Sequence, residues 1–136
     1  MRKRIIPLAI AAPLLALAIL LIPSVYGDGS TTLQVSFINV GQGDSILLRD
    51  SNGFDVLVDG GKTGQSSTIL DYLRALGVDD IDVMVATHAD SDHIGGLIGV
   101  LQASDIPVQS VLYNGYPDPD NSLTWQSFVG RWSAKG

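Results

Sequence analysis

The chain has 136 residues, a length that suits one ordinary domain or part of a larger one. Its 46% hydrophobic content permits a packed core, and the lack of Cys excludes disulfides, thiolate metal sites and cysteine nucleophiles. All 14 acidic residues are Asp, and from Asp28 onward they face only five basic residues, a net charge of −9. An acidic body repels phosphate backbones, so a nucleic-acid substrate would have to be held through metal ions or a basic partner.

The N-terminus predicts export. Three basic residues, 2–4, precede an 18-residue apolar run over 5–22, the pattern of a charged region followed by a hydrophobic one. Three prolines within or directly after the run argue against an ordinary buried helix. We interpret 1–27 as a signal peptide or a membrane anchor and 28–32 as a linker. Either alternative predicts an extracellular or periplasmic domain, free or anchored to the membrane.

The rest of the chain predicts a layered α/β domain. Apolar runs between Gly- and Asp-rich turns predict five strands, over 33–40, 45–49, 54–58, 79–86 and 108–113. Helical spacing predicts a helix from Ser66 or Ser67 to Leu76, stopped by Gly77, and a short helix over 94–101. A last amphipathic helix is predicted over 122–133, with Leu123, Phe128 and Val129 as its apolar positions. The order β-β-β-α-β-α-β-α is typical of an α/β protein with a mixed sheet.

The most informative segment follows the fourth predicted strand. His88, Asp90, Asp92 and His93 fall within six positions, and the two histidines are the only ones in the chain. A loop that folds back on itself can aim these side chains at one or two metal ions, and imidazole with carboxylate suits zinc, manganese or iron(II). The plainer alternative is a solvated acidic turn. The concentration of all His in one loop after a buried strand favours the metal site.

Three ordered motifs carry a resemblance to a known family. Residues 87–96, Thr-His-Ala-Asp-Ser-Asp-His-Ile-Gly-Gly, resemble the metal loop of the metallo-β-lactamase fold hydrolases. The form of this loop with Asp at position 90 is similar to that in the hydrolase domain of the DNA-uptake channel proteins of natural competence. Residues 39–45, Asn-Val-Gly-Gln-Gly-Asp-Ser, and 58–61, Val-Asp-Gly-Gly, are similar to two further blocks of that group. The resemblance implies an αββα metallo-β-lactamase-like sandwich, of which 33–136 is expected to form only the N-terminal part.

The resemblance also implies roles for the metal loop. His88 and Asp90 would bind a first metal ion, and Asp92 and His93 a second. Asp92 would in addition orient the attacking water, which makes it the expected catalytic residue. The family completes its metal site with His or Asp from later strands, whereas no His follows His93 here.

Other motif residues are expected to act on the site without binding metal. Asp59 and four glycines would support the metal loop structurally; the glycines are Gly60, Gly61, Gly95 and Gly96. A second loop would shape the cleft; its residues are Gly41, Gly43, Asp44 and Ser45. For Asp44, a reach into the site and a plain hairpin turn both remain open.

Together these features predict metal-dependent hydrolysis of a phosphodiester or similar ester bond through a metal-bound water. The expected cofactor is zinc or manganese, one or two ions, and the expected substrate is an anionic phosphodiester, nucleic acid included, held through metal. Two alternatives remain. One is a non-catalytic exported metal-binding or scaffold domain with an incomplete ligand set, and the other is a subunit whose missing half comes from another chain.

Overall fold

The computed structural model describes residues 31–134. The predicted export segment, 1–27, and most of the linker lie outside the described residues. From Thr31 to Ala134, no helix has the length and apolar character needed to cross a membrane.

Five strands form one mixed sheet and lie side by side in chain order; they are β1 (Leu33–Phe37), β2 (Ile46–Asp50), β3 (Asp55–Val58), β4 (Val83–Ala86) and β5 (Val111–Tyr113). The first three strands pair antiparallel, whereas β3, β4 and β5 pair parallel. The mixed sheet confirms the predicted α/β class. Several strands are shorter than predicted, and only an isolated bridge between Ile81 and Val108 extends the β4–β5 contact towards the strand starts.

Four helices connect or follow the strands; they are α1 (Ser66–Ala75), α2 (Ser91–Ile94), α3 (Leu97–Gln102) and α4 (Leu123–Ser133). The helix predicted over 94–101 is present but begins at Leu97, and Ile94 instead ends a separate four-residue helix before Gly95 and Gly96. A Cβ at Gly95 would overlap the backbone nitrogen of Thr63, and one at Gly96 would overlap the carbonyl oxygen of Gly60. The lack of a side chain at these two glycines allows this close contact between backbones.

Helix α4 begins at a side-chain cap, since the Ser122 hydroxyl accepts a hydrogen bond of 3.2 Å from the backbone nitrogen of Trp125. Phe128 is fully buried, and three further residues at helical spacing pack against the core: Trp125, Val129 and Trp132. The placement of Leu123 among the apolar positions was wrong, because its side chain is 80% exposed. Positions 125, 128, 129 and 132 form one stripe, and position 123 falls outside it.

The core lies on one face of the sheet. Leu47, Leu57 and Met84 point from successive strands against α1 and α3, where Leu73 and Leu97 are fully buried. The opposite face, here called the open sheet face, carries apolar side chains that are only partly covered by the described residues. Register places nine of them in two rows: Phe37, Ile46, Val58, Val85 and Leu112, and Val35, Leu48, Val56 and Val83. The described residues therefore form one helix layer on one sheet, half of an αββα sandwich.

An ion pair ties the far end of the sheet to α1. Arg49 of β2 lies opposite Asp55 of β3, with 3.3 Å between the guanidinium Nε and the carboxylate Oδ1 atom. The same guanidinium donates to the carbonyl of Leu76 at 2.7 Å, at the end of α1. Burial raises the pKa of Asp55, although the Arg49 charge acts in the opposite direction.

Candidate metal centre

The parallel pairing of β3 and β4 brings the two sequence motifs together. Because parallel strands end at the same edge of a sheet, the residues that follow β3 and β4 become neighbours. Asp59 follows β3 and donates its backbone N–H to the Val85 carbonyl at 2.9 Å. Thr87 and His88 follow β4. Both motifs therefore meet at one edge of the sheet.

Asp59 is the centre of a buried hydrogen-bond network. Its residue is 2% exposed, and its φ of 54° lies in the left-handed region, which Asp tolerates better than most residues. The Oδ1 atom accepts the Thr87 backbone N–H at 2.9 Å, and the Oδ2 atom accepts the Thr87 hydroxyl at 2.6 Å. The Oδ2 atom also lies 2.8 Å from Nδ1 of His93. One carboxylate thus fixes both ends of the metal loop.

The same network orients both histidines. Since an ionised carboxylate only accepts hydrogen bonds, the Nδ1 atom of His93 donates to Asp59. The Thr87 hydroxyl donates its hydrogen to Asp59, so its oxygen accepts a hydrogen bond from Nδ1 of His88, 2.9 Å away. This pattern assigns a proton to Nδ1 of each ring, and in that neutral tautomer Nε2 is the atom with the lone pair. The ring centroids of His88 and His93 lie 3.8 Å apart, so the two rings occupy one small region.

The four predicted metal ligands are not all gathered into one cluster. Among the described residues, the structure brings ligand atoms of Asp59, His88 and His93 within 4.8 Å of one another. Asp90 stands beside this group, with its Oδ2 atom 3.5 Å from Nε2 of His88. Asp92 is engaged elsewhere, since its Oδ2 atom accepts a 3.3 Å hydrogen bond from the Gln42 amide.

The predicted supporting glycines lie where backbones touch. The Gly60 N–H donates to the His93 carbonyl at 2.7 Å, and the Gly96 N–H donates to the Gly61 carbonyl at 3.1 Å. A Cβ at Gly43 would overlap the carbonyl oxygen of Asp92. The loop over 41–44 therefore lies directly against the metal loop. The predicted cleft residue Ser45, directly after this loop, is buried, whereas Asp44 is exposed.

A cavity of about 310 Å³ opens beside the metal loop and is lined by Asp90, Ser91 and Asp92. Its other wall is the loop after β5, which contributes Asp118 and Asp120. Asp118 also holds that loop together by accepting the backbone N–H groups of Asp120 and Ser122 at 3.0 and 2.8 Å. Hydrogen bonds from Ser122 and Asp120 lower the pKa of Asp118, so this wall keeps its negative charge into the acid range.

The sequence analysis did not identify Thr87 or Gln42 as parts of the site. Thr87 stands immediately before His88, at the strand end, and its position alone was a usable signal. Gln42 lies 50 residues before Asp92, and its only signal was a place between two glycines of a motif block.

Comparison with known proteins decides the family. The model of the metallo-beta-lactamase superfamily matches residues 38–130, which include every residue of the centre described above. The chain belongs to the metallo-beta-lactamase superfamily. The resemblance stated from the three motifs is thereby confirmed.

Two curated relatives match part of the chain. Competence protein ComA of Neisseria gonorrhoeae is 38% identical over 85 residues, which are 62% of this chain and 12% of the relative. ComE operon protein 3 of Bacillus subtilis (strain 168) is 31% identical over 88 residues, 52% of this chain and 11% of the relative. The chain thus spans about one-tenth of the length of these curated relatives. Among solved structures, a mutant metallo-beta-lactamase from Cronobacter sakazakii is 28% identical, with a TM-score of 0.46, and the match covers 54% of this chain and 30% of that one.

The superfamily implies a divalent metal, and the residues present fit one. Two imidazoles lie with their ring centroids 3.8 Å apart, and the carboxylate of Asp90 stands next to the ring of His88, in the same loop as Asp92. Nitrogen and oxygen donors of this kind suit zinc, manganese and iron(II). The link from His93 to Asp59 is the outer-sphere hydrogen bond that metal-bound histidines commonly make.

Proposed function

We propose that this domain is a metal-dependent hydrolase that acts on a phosphodiester or similar ester bond. The observation that carries the proposal is the Asp59 network, which engages Nδ1 of both His88 and His93 and holds their ring centroids 3.8 Å apart. A buried carboxylate that orients two histidines in this way is typical of sites where the histidines bind a cation.

Within the proposal, four side chains hold one or two divalent ions, zinc or manganese. His88 and Asp90 hold one ion, and Asp92 and His93 hold the other. Asp59 orients the ligands rather than binding metal, because its two oxygens already accept three hydrogen bonds. The ions would supply a water of lowered pKa and would stabilise the negative charge that develops during hydrolysis. The carboxylate of Asp92 orients the attacking water.

The proposed substrate is an anionic phosphodiester, nucleic acid included. The similarity of the metal loop to DNA-uptake proteins supports this class, as does the relationship to a competence protein. The acidic cavity walls, formed by Asp90, Asp92, Asp118 and Asp120, would repel a phosphate without bound cations. Substrate binding is therefore expected to depend on the divalent ions. The basic and apolar N-terminal residues, 2–22, support the further proposal that this chemistry takes place outside the cytoplasm.

The test uses the full chain, stripped of metal by a chelator and then supplied with Zn²⁺ or Mn²⁺. Hydrolysis of bis(p-nitrophenyl) phosphate is measured for the wild type, His88→Ala and Asp92→Ala, with the exposed helix residue in Asp71→Asn as control. The expected result is metal-dependent hydrolysis in the wild type and control. Each ligand variant should lose more than the roughly 10–100-fold that follows removal of an outer-sphere partner. Unchanged rates in both ligand variants would contradict the proposal.

A second candidate is a non-catalytic metal-binding or scaffold domain. It is favoured by the small ligand group, since only three residues among 31–134 bring ligand atoms within 4.8 Å. This candidate predicts that the full chain binds less than one ion per molecule, or binds an ion without any phosphodiesterase activity. Metal stoichiometry measured beside the rates distinguishes the two candidates.

A further inference from the structure

The loop between β1 and β2 is built to lie against the metal loop. Gly41 and Gly43 have φ values of 77° and 84°, in the left-handed region that glycine adopts without strain. The Gly61 N–H donates to the Asp44 carbonyl at 2.8 Å, which joins this loop to the turn after β3. Because a Cβ at Gly43 would overlap the Asp92 carbonyl, the two loops touch through their backbones.

Gln42 lies between those two glycines and contacts the side chain of Asp92. Its amide Nε2 atom donates a 3.3 Å hydrogen bond to the Oδ2 atom of Asp92. Among the described residues, no other side chain donates to this carboxylate, and its Oδ1 atom accepts no hydrogen bond. Asp92 also lines the cavity beside the metal loop. The Gln42 amide is thus the contact that fixes which carboxylate oxygen is engaged and which is available.

We propose that Gln42 is a positioning residue for Asp92: its amide holds one carboxylate oxygen and leaves the other for a metal ion or the water that Asp92 orients. This inference rests on the proposed function of the same site. A neutral amide donor suits the role because it fixes the carboxylate without cancelling its charge. A Lys or Arg donor would cancel that charge. The left-handed glycines on either side allow the loop to bring Gln42 within reach.

The chain contains a matched control for this contact. Gln109 also donates from its amide to a carboxylate, with 3.0 Å between Nε2 and the Oδ2 atom of Asp80. Gln109 precedes β5, at the strand end opposite the metal loop. Loss of this second Gln–Asp hydrogen bond should alter the surface to a similar degree without touching the centre.

The test has two parts, both on the full chain. In the metal-free protein, the side-chain amide signals of Gln42 and Gln109 are followed by NMR, with and without Asp92→Asn. The Gln42 signals should shift, and those of Gln109 should not. Calorimetric titration with Mn²⁺ and with Zn²⁺ then compares Gln42→Ala, Gln42→Met and Gln109→Ala with the wild type. Both Gln42 variants should lose about 10–100-fold in metal affinity, the usual effect of an outer-sphere partner, whereas Gln109→Ala should match the wild type.

The outcomes separate this inference from the proposed function. Unmoved Gln42 signals, or a Gln42→Met variant that binds metal as the wild type does, overturn the role of Gln42 and leave the proposed function standing. A wild type that binds neither ion overturns the proposed function, and the role of Gln42 with it. Melting temperatures of the metal-free variants equal to that of the wild type show that a weaker affinity does not reflect a loss of folding.

Discussion

The Oδ2 atom of Asp59 lies 2.8 Å from Nδ1 of His93. The same oxygen accepts the Thr87 hydroxyl, which in turn contacts Nδ1 of His88. This relationship links a turn after β3 to a loop after β4, 28 to 34 residues later in the chain. It explains why a carboxylate is almost completely buried at the edge of an acidic domain.

Replacement of this carboxylate tests the network. The two carboxylate oxygens of Asp59 accept three hydrogen bonds, whereas an Asn side chain has only one acceptor oxygen. In Asp59→Asn, at least one buried donor therefore loses its partner. We expect a cost of about 1–3 kcal/mol in the free energy of unfolding. Metal affinity should fall about 10–100-fold. Urea denaturation and Mn²⁺ titration measure the two effects. Asp105→Asn, which removes only an exposed contact with Arg74, should cost less than about 1 kcal/mol and leave the affinity unchanged.

The contact between the two loops predicts a difference between two glycine substitutions. Gly53→Ala meets only the strain of a left-handed φ, 88°, because no atom lies within 4 Å of the added carbon. We expect it to cost about 1–2 kcal/mol. Gly43→Ala carries a similar strain, at a φ of 84°, and in addition pushes against the Asp92 carbonyl. It should destabilise the protein more than Gly53→Ala and should weaken metal binding, which Gly53→Ala leaves intact. Equal losses in the two variants would contradict a close contact between the loops.

The buried ion pair predicts a pH effect of definite sign. The pKa of Asp55 is raised in the folded chain, so the folded state binds this proton more tightly than the unfolded state does. The cost of the buried charge is fully present above the folded pKa. It disappears as the pH falls from that value to the ordinary Asp value of 3.8. The free energy of unfolding of the wild type, relative to Asp55→Asn, should therefore increase as the pH is lowered through this window. A relative decrease in urea denaturation experiments would show that the sign is wrong.

Truncation of side chains on the two faces of the sheet should change the free energy of unfolding by very different amounts. Leu57 is fully buried against the helices, so Leu57→Ala should cost about 2–5 kcal/mol. Phe37 lies on the open sheet face and is 79% exposed, so Phe37→Ser should change the free energy of unfolding by less than about 0.5 kcal/mol. A large loss for Phe37→Ser in the full chain would show that this face is covered.

The sequence was sufficient to predict the superfamily and the edge of the sheet at which the site lies. A buried strand that leads directly into His88 and His93 is typical of a metal loop, and the three motifs occur in the expected order. Alternation along β1 also predicted two faces. It did not show which face is covered, and the structure buries Ser36 while exposing Phe37, because coverage depends on the layer that packs above the strand.

The remaining errors have physical causes that local patterns do not contain. The predicted helix begins only at Leu97, after Gly95 and Gly96 have passed close to Thr63 and Gly60, and these contacts are absent from the local pattern. Leu123 was assigned by hydrophobicity, whereas the helix stripe is set by Trp125 and Phe128. The contact of Gln42 with Asp92 joins residues 50 positions apart, and only the folded chain brings them together.

The central claim is that the Nε2 atoms of His88 and His93, oriented by Asp59, bind a divalent cation. Anomalous diffraction from crystals of the full chain grown with MnCl₂ or ZnCl₂ tests it most directly. We predict an anomalous peak at coordination distance, about 2.0–2.3 Å, from at least one of these two atoms. A well-occupied peak elsewhere, with none beside His88 or His93, would contradict the account.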